Sequence, residues 1–211
     1  MLTNVPDINH EKHESGDTVA FAACGKLAEM GATDPNCPHD DLGTKIFHWL
    51  IFILVAAQYL VGEFMPHIGR NAQNAGLIAV HIGLGGFILP VIVMAIVWRV
   101  LHPVPQLPEL PPWQRIAATL THWLLYGLIL GMALLGWSAT NFRGWNVTIF
   151  GIDLPMLANK GDRWAHTAGD IHTLLVNVLL ALVALHVVAA LFHHFVKHDR
   201  VMRRILPGAG R

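Results

Sequence analysis

Long apolar segments dominate the pattern of hydrophobic and polar positions in the second part of the chain. Four segments have this character: Ile46–Phe64, Gly76–Trp98, Ile116–Trp137 and Ile171–Val196. About 20 residues of α-helix cross a hydrocarbon core of about 30 Å, and lipid offers no hydrogen-bond partner to a bare backbone. The pattern therefore predicts an all-α fold, an integral membrane four-helix bundle over residues 45–197.

Polar segments flank the predicted bundle at both ends. Residues 1–44 are polar and acidic, and we expect them to form a mobile, solvated tail. Cys24 and Cys37 lie in this tail, but two cysteines there do not make a disulfide framework, and their spacing matches no zinc pattern. Residues 198–211 are predicted to form a basic cytoplasmic tail.

Basic residues are distributed unequally between the two sides of the predicted bundle. With the N-terminus in the cytoplasm, ten Lys or Arg residues lie inside and four lie outside, in agreement with the positive-inside tendency. The four outer residues are Arg70, Arg143, Lys160 and Arg163. We therefore expect a multi-pass membrane protein with both termini in the cytoplasm. The long connection from Ser138 to Gly169 is then outside, and we expect it to fold over the outer face.

The composition agrees with a membrane protein and draws attention to histidine. The chain is 54% hydrophobic and 13% charged, whereas a typical soluble protein has roughly 25% charged residues. The formal net charge is zero, so the sequence gives no reason to expect a nucleic-acid partner. The 14 histidines are the unusual feature.

Several histidines lie within the predicted helices or at their edges, and ionisable residues there are rare and usually functional. These five are His48, His81, His122, His172 and His186. Each is a hydrogen-bonded packing residue, a proton relay or a metal ligand. The alternating direction of the helices places His48, His122 and His186 in an inner layer, and His81 and His172 in an outer layer.

The two histidines of the fourth segment project from nearly the same face. His172 and His186 are 14 residues apart, which is about 40° short of four turns and about 21 Å along the axis. This separation is too long for one ion, but it suits two flat macrocycles at different depths, each with an iron between two imidazoles. The outer pair would be His81 with His172, and the inner pair His186 with either His48 or His122.

Glycines follow His81 in the sequence HIGLGGF. Gly83 and Gly86 would allow a macrocycle to approach the helix closely, although glycines also serve tight helix packing. The covalent attachment motif C-x-x-C-H is absent from the sequence, so any haem is predicted to be bound non-covalently.

The chain resembles the bacterial cytochrome b561 family, and most closely its small four-helix superoxide oxidase members. The resemblance rests on FHWLIF at His48, VHIGLG at His81, the segment from Asp170 to His194 with its H-x13-H pair, and NFRGWNVTIFGIDLP in the outer connection. It covers residues 45–207 and implies a protein of the bacterial inner (cell) membrane with two haem b groups. By this resemblance, His48 and His186 hold the inner iron and His81 and His172 the outer one. His122 is then expected to contact a haem propionate or a quinone.

The resemblance also implies a reaction, in which superoxide is oxidised at the outer face and ubiquinone is reduced. Arg70, Arg143, Lys160 and Arg163 are candidates for a funnel that attracts superoxide, although each of them taken alone is better explained as an ordinary solvated loop charge. His193 and His194 are candidates for quinone binding, and alternatively for polar anchors at the membrane surface.

Two other functions fit the same residues. The chain could be a cytochrome b subunit that links a partner dehydrogenase or hydrogenase to the quinone pool, with the outer connection as the docking surface. It could also be a haem-free transporter that uses its histidines as a proton relay.

Overall fold

Four long helices make up most of the described part of the chain. The computed structural model describes residues 42–69, 71–103, 111–149, 151–198 and 205. Helix α1 is Leu42–Phe64, α2 is Leu77–Leu101, α3 is Pro112–Phe142 and α4 is Arg163–Phe192, which continues into a π-helical turn, His193–Lys197. All four are long and apolar enough to cross a membrane. The prediction of an all-α membrane bundle is confirmed.

The helices extend beyond the apolar segments, so the predicted boundaries of the outer connection were wrong. It comprises residues 143–162 instead of 138–169. At the end of α3, the hydroxyls of Ser138 and Thr140 donate to the carbonyls of Leu134 and Gly136, one turn earlier. Because these polar groups are satisfied within the helix, α3 continues past the point where hydrophobicity ends.

The flanking segments are described only in part. Helix α1 begins at Leu42, inside the segment predicted as tail. Cys24, Cys37 and the rest of residues 1–41 lie outside the described residues, as do Arg70 and most of the C-terminal segment.

The helices pack in chain order, α1 on α2, α2 on α3 and α3 on α4. The buried core at the centre consists of Ile88 and Ile92 from α2, Ile129 from α3 and Leu179 from α4. Leu179 lies seven residues from both His172 and His186. The apolar core therefore separates the two histidine layers.

The outward faces of the helices are apolar, the reverse of a soluble protein. Large side chains such as Phe52, Ile53, Leu124 and Val188 are 50 to 61% exposed. Contiguous apolar surface of this kind indicates contact with lipid.

The outer connection has a structure of its own. Strand β1 (Thr148–Ile149) pairs antiparallel with β2 (Ile152–Asp153). Val147 is buried, and an added Cβ at Gly86 of α2 would lie 2.8 Å from its Cγ1 atom. Gly86 thus lets this connection rest directly on α2, as expected for a folded loop.

Candidate functional site

The outer histidine layer joins two helices across the bundle. His81 of α2 faces His172 of α4, with 6.3 Å between their ring centres and 88° between their ring planes. A histidine nitrogen lies about 2.0 to 2.1 Å from a bound metal, so two imidazoles on opposite sides of one metal ion have ring centres about 6.3 Å apart. The spacing of this pair fits a six-coordinate haem iron.

Hydrogen bonds assign the protons of both outer imidazoles. Nδ1 of His172 lies 2.9 Å from the carbonyl oxygen of Met132 and donates to it. The side-chain nitrogen of Gln58 lies 3.2 Å from Nε2 of His81. Because an amide nitrogen only donates, Nε2 of His81 accepts. In both rings Nε2 therefore carries the lone pair that a metal requires.

Two glycines that the sequence reasoning missed make room for these rings. An added Cβ at Gly136 of α3 would lie 3.1 Å from the His172 ring, and one at Gly62 of α1 would lie 3.2 Å from the His81 ring. The only available signal was their position in apolar helices. Of the predicted glycines, Gly83 faces open space, whereas Gly86 packs against the outer connection.

The inner layer contains three histidines, as predicted. His48 of α1 and His186 of α4 have ring centres 6.4 Å apart, with 49° between their planes. The ring of His122 of α3 is only 5.2 Å from that of His186, which is too short for an iron between them. Nδ1 of His122 donates to the carbonyl of Ala118 over 2.7 Å. The geometry favours His48 as the partner of His186.

The donor set itself favours haem over a bare metal ion. Among the described residues, no three His, Cys, Asp or Glu side chains converge on one point. Each layer instead offers two opposed imidazoles on different helices, the arrangement that b-type haem iron requires. The residues present therefore fit two non-covalently held haems.

The cationic residues of the outer face have specific contacts. The guanidinium of Arg143 donates to the carbonyls of Gly69 and Ile68 over 3.0 and 2.9 Å, and lies 5.5 Å from the centre of the Trp145 ring. Lys160 packs along Gly144, so it is close to Arg143 in the fold. Arg163 begins α4 and is exposed. Arg70, the fourth predicted residue, lies outside the described residues.

Acidic residues share this face. The described residues of the outer side include three basic side chains and four carboxylates, and the carboxylates are those of Glu63, Asp153, Asp162 and Asp170. Any attraction for a small anion is therefore local to the Arg143 and Lys160 region and is not a property of the whole face.

Asn141 organises the outer connection, and the sequence reasoning missed it. Its side chain is completely buried. The amide donates to the carbonyl of Trp145 over 3.1 Å and accepts from the backbone N–H of Leu157 over 2.8 Å. One residue at the end of α3 thus holds both halves of the connection. A buried asparagine with these two hydrogen bonds has no signature in a single sequence.

The β-hairpin carries one perturbed carboxyl. Thr148 and Asn146 donate side-chain hydrogen bonds to Asp153. These two bonds lower the pKa of the Asp153 carboxyl below its ordinary value, because they favour the charged form.

His193 and His194 lie in the π-helical turn at the inner end of α4. The ring of His193 contacts that of Phe192, and the ring of His194 contacts that of Phe195. His193 is seven residues, about two turns, beyond His186. π-Helical turns occur frequently at functional sites.

Known proteins match most of the chain. The family model of prokaryotic cytochrome b561 matches residues 39–208. Cytochrome b561 homolog 2 of Escherichia coli (strain K12) is 29% identical over 163 residues, 76% of this chain and 87% of that protein. A Yersinia pestis protein named "Probable superoxide oxidase CybB" is 28% identical over 161 residues, 76% of this chain and 91% of that protein. Cytochrome b562 of Cereibacter sphaeroides is 31% identical over 164 residues, 75% of this chain and 89% of that protein.

The match includes all four helices and both histidine layers. It agrees with the spacing of the opposed imidazoles and with the apolar outer surface of the bundle. The chain therefore belongs to the prokaryotic cytochrome b561 family and is a bacterial membrane protein that binds haem b and transfers electrons.

Proposed function

We propose that this protein binds two haem b groups, oxidises superoxide at its outer face and reduces ubiquinone at its inner face. The observation that carries the proposal is the pair of opposed imidazoles at each of two depths, with ring centres 6.3 and 6.4 Å apart. In the overall reaction, two superoxide anions, one ubiquinone and two protons give two molecules of oxygen and one ubiquinol.

Four histidines would hold the cofactors, His81 with His172 in the outer layer and His48 with His186 in the inner layer. When bound, the haems supply one-electron redox chemistry across the membrane. The Nδ1–H of His172 is held by the Met132 carbonyl, which fixes the plane of the imidazole and keeps Nε2 unprotonated. The apolar core between the two histidine layers excludes water from the centre of the bundle.

Superoxide as the substrate rests on the likeness to the Yersinia pestis protein and on the local cations of the outer face. Lys160 is exposed and close to Arg143. The guanidinium of Arg143 is held by two carbonyls, so its charge is fixed in place beside the outer connection. A fixed positive charge raises the local concentration of a small anion and its rate of encounter.

The inner face would receive ubiquinone. Because Nδ1 of His122 donates to the Ala118 carbonyl, its Nε2 is free to take up a proton and donate it to a quinone carbonyl. His193 and His194 lie at the same end of the bundle and offer further imidazoles that could donate to a quinone carbonyl. Ten Lys or Arg residues lie at this end or in the terminal segments, against four on the outer side, which supports a cytoplasmic position for the N- and C-termini.

Stopped-flow mixing of the haem-loaded protein with superoxide tests the proposal. We expect reduction of the haems without any partner protein, and steady turnover with reoxidation when ubiquinone is added. Superoxide dismutase should abolish the signal. Lys160→Glu should lower the second-order rate constant and its salt dependence, whereas Lys197→Glu at the inner end should not. If superoxide does not reduce the haems, superoxide is not the substrate.

A second function is favoured by one observation. The outer connection and the start of α4 expose four large apolar side chains, Ile152, Met156, Leu157 and Trp164, which are 70, 50, 42 and 52% exposed. Such residues would suit the docking of a dehydrogenase or hydrogenase that supplies electrons. Two results together would establish this alternative. Superoxide would fail to reduce the haems, and a redox enzyme that co-purifies from membranes would reduce them.

A further inference from the structure

One polar side chain faces outward from within a membrane-spanning helix. Asn177 of α4 is exposed, and it lies seven residues after Asp170 and twenty before Lys197, so it is about 10 Å from the nearest charged position along the helix. Its amide makes no hydrogen bond to any residue in the described part of the chain. An amide without partners is costly in hydrocarbon, so Asn177 requires a partner from outside this chain.

Asn177 belongs to a regular row of outward-facing residues, here called the α4 stripe. Its members recur at alternating intervals of three and four residues and are all exposed: Leu174, Asn177, Ala181, Ala184, Val188 and Leu191. This alternation is the spacing of a helix seam that packs along a second helix. The two central alanines allow close approach of that helix.

The α4 stripe lies on the side opposite the haem-binding histidines. Asn177 precedes His186 by nine residues, which is two and a half turns, so the two side chains project in opposite directions. A shallow groove of about 510 Å³ runs beside the stripe, and Asn177 is the polar residue among the five that line it. Neither the bundle interior nor the outer connection covers this face.

We propose that a second copy of this chain covers the α4 stripe, with the two α4 helices parallel and a two-fold axis along the membrane normal. Such an axis brings each residue of the stripe against the same residue of the other copy, at the same depth. The amide of Asn177 carries both donors and an acceptor, so two facing copies satisfy each other reciprocally. A lipid acyl chain offers neither group, and a quinone ring offers only acceptors. The proposal does not depend on the number of haems or on the substrate.

Cysteine cross-linking in membranes locates the interface. In a full-length background with Cys24→Ser and Cys37→Ser, Ala184→Cys should give a disulfide-linked dimer on mild oxidation. Val187→Cys is the matched control, because it is exposed on the same helix, one turn away, but lies off the stripe. Equal cross-linking of both variants, or of neither, would overturn the proposal.

Single-molecule photobleaching of the labelled, haem-loaded protein in liposomes measures the strength of association. Asn177→Leu should weaken dimerisation about three- to twenty-fold, the range of measured interhelical hydrogen bonds, and Asn177→Gln should restore part of it. Haem content per chain should stay at the wild-type value. A wild type that is monomeric at every protein density would contradict the proposal. The proposal would also be contradicted if Asn177→Leu associated like the wild type but its haems were reoxidised more slowly by quinone. Quinone, and not a second copy, would then occupy the groove beside Asn177.

Discussion

Gln58 donates both hydrogens of its side-chain amide to a single residue, His81. One bond of 3.0 Å goes to the backbone carbonyl and one of 3.2 Å goes to Nε2 of the imidazole. The bond to the carbonyl ties α1 to α2 next to the outer histidine pair. The bond to Nε2 engages the nitrogen that an iron would bind, so Gln58 would have to release the ring for haem to be held there.

Removal of this amide should weaken the outer site selectively. We expect Gln58→Leu to lower the affinity for the outer haem about 10-fold, the low end for loss of a residue that supports a ligand, because the bond to the His81 carbonyl that holds α1 against α2 is lost. The reduction potential of the remaining outer haem should shift, while that of the inner haem stays constant. Redox titration followed by optical spectroscopy measures both. Tyr59→Phe is the neighbouring control, and identical titrations for the two variants would refute a positioning role for Gln58.

A methyl group at Gly136 should displace the His172 imidazole. The added Cβ of Gly136→Ala would lie 3.1 Å from that ring, tighter than ordinary contact, so we expect reduced outer haem content. The added Cβ of Gly131→Ala, on the same helix, meets nothing within 4 Å, so this variant should retain full haem content. Its free energy of unfolding should rise by about 0.5 to 1 kcal/mol, because alanine restricts the unfolded chain more than glycine does. Haem-to-protein ratios and thermal unfolding check both variants. Equal haem content in the two proteins would contradict the proposed tight site.

The histidine pairing makes opposite predictions for two residues. His172→Ala should remove the outer haem and leave the inner one, because no other imidazole on α4 lies at that depth. His122→Ala should retain both haems, since its ring is too close to His186 to share an iron. Pyridine haemochrome assays give the number of haems per chain. Two haems in His172→Ala, or one in His122→Ala, would require a different pairing.

Loss of Asn141 should loosen the outer connection. In Asn141→Leu, the Leu157 N–H and the Trp145 carbonyl lose their partner, at a cost of about 1 to 3 kcal/mol for each group that stays buried. We expect faster tryptic cleavage at Lys160, with haem content maintained. Asn159→Ala, an exposed position in the same connection, should be cleaved like the wild type. Unchanged cleavage in Asn141→Leu would mean that other contacts hold the connection.

Acid should weaken the β-hairpin through Asp153. Its pKa is lowered in the folded state, so its hydrogen bonds stabilise the hairpin above pH 3.8, its ordinary value, and this contribution is lost as the pH falls through the lower, folded-state pKa. Amide-exchange protection of residues 147–149 and 151–154 should therefore decrease as the pH falls below 3.8. Asp153→Asn should show no such dependence, because its side chain does not titrate. Parallel pH profiles for the two proteins would exclude Asp153 as the cause.

The sequence was sufficient for the helices and for the two histidine layers, since hydrophobic length and helical spacing are local properties. His81 and His172 could be paired by depth alone, but the choice between His48 and His122 depends on side-chain distances across the bundle. The roles of Gln58, Gly62, Gly136 and Asn141 also arise from contacts between distant segments. The ends of α3 and α4 were misplaced because hydrogen-bonded polar residues continue these helices beyond the apolar core.

The placement of His172 and His186 on one uninterrupted helix has a mechanical consequence. Their separation is fixed by the rise of the helix, about 1.5 Å per residue, and not by packing between subunits or loops. A change in bilayer thickness that tilts α4 alters the depth of both imidazoles together but leaves the interval between them constant. In the proposed arrangement with two haems, α4 therefore keeps the spacing of the two sites along the helix constant in membranes of different lipid composition.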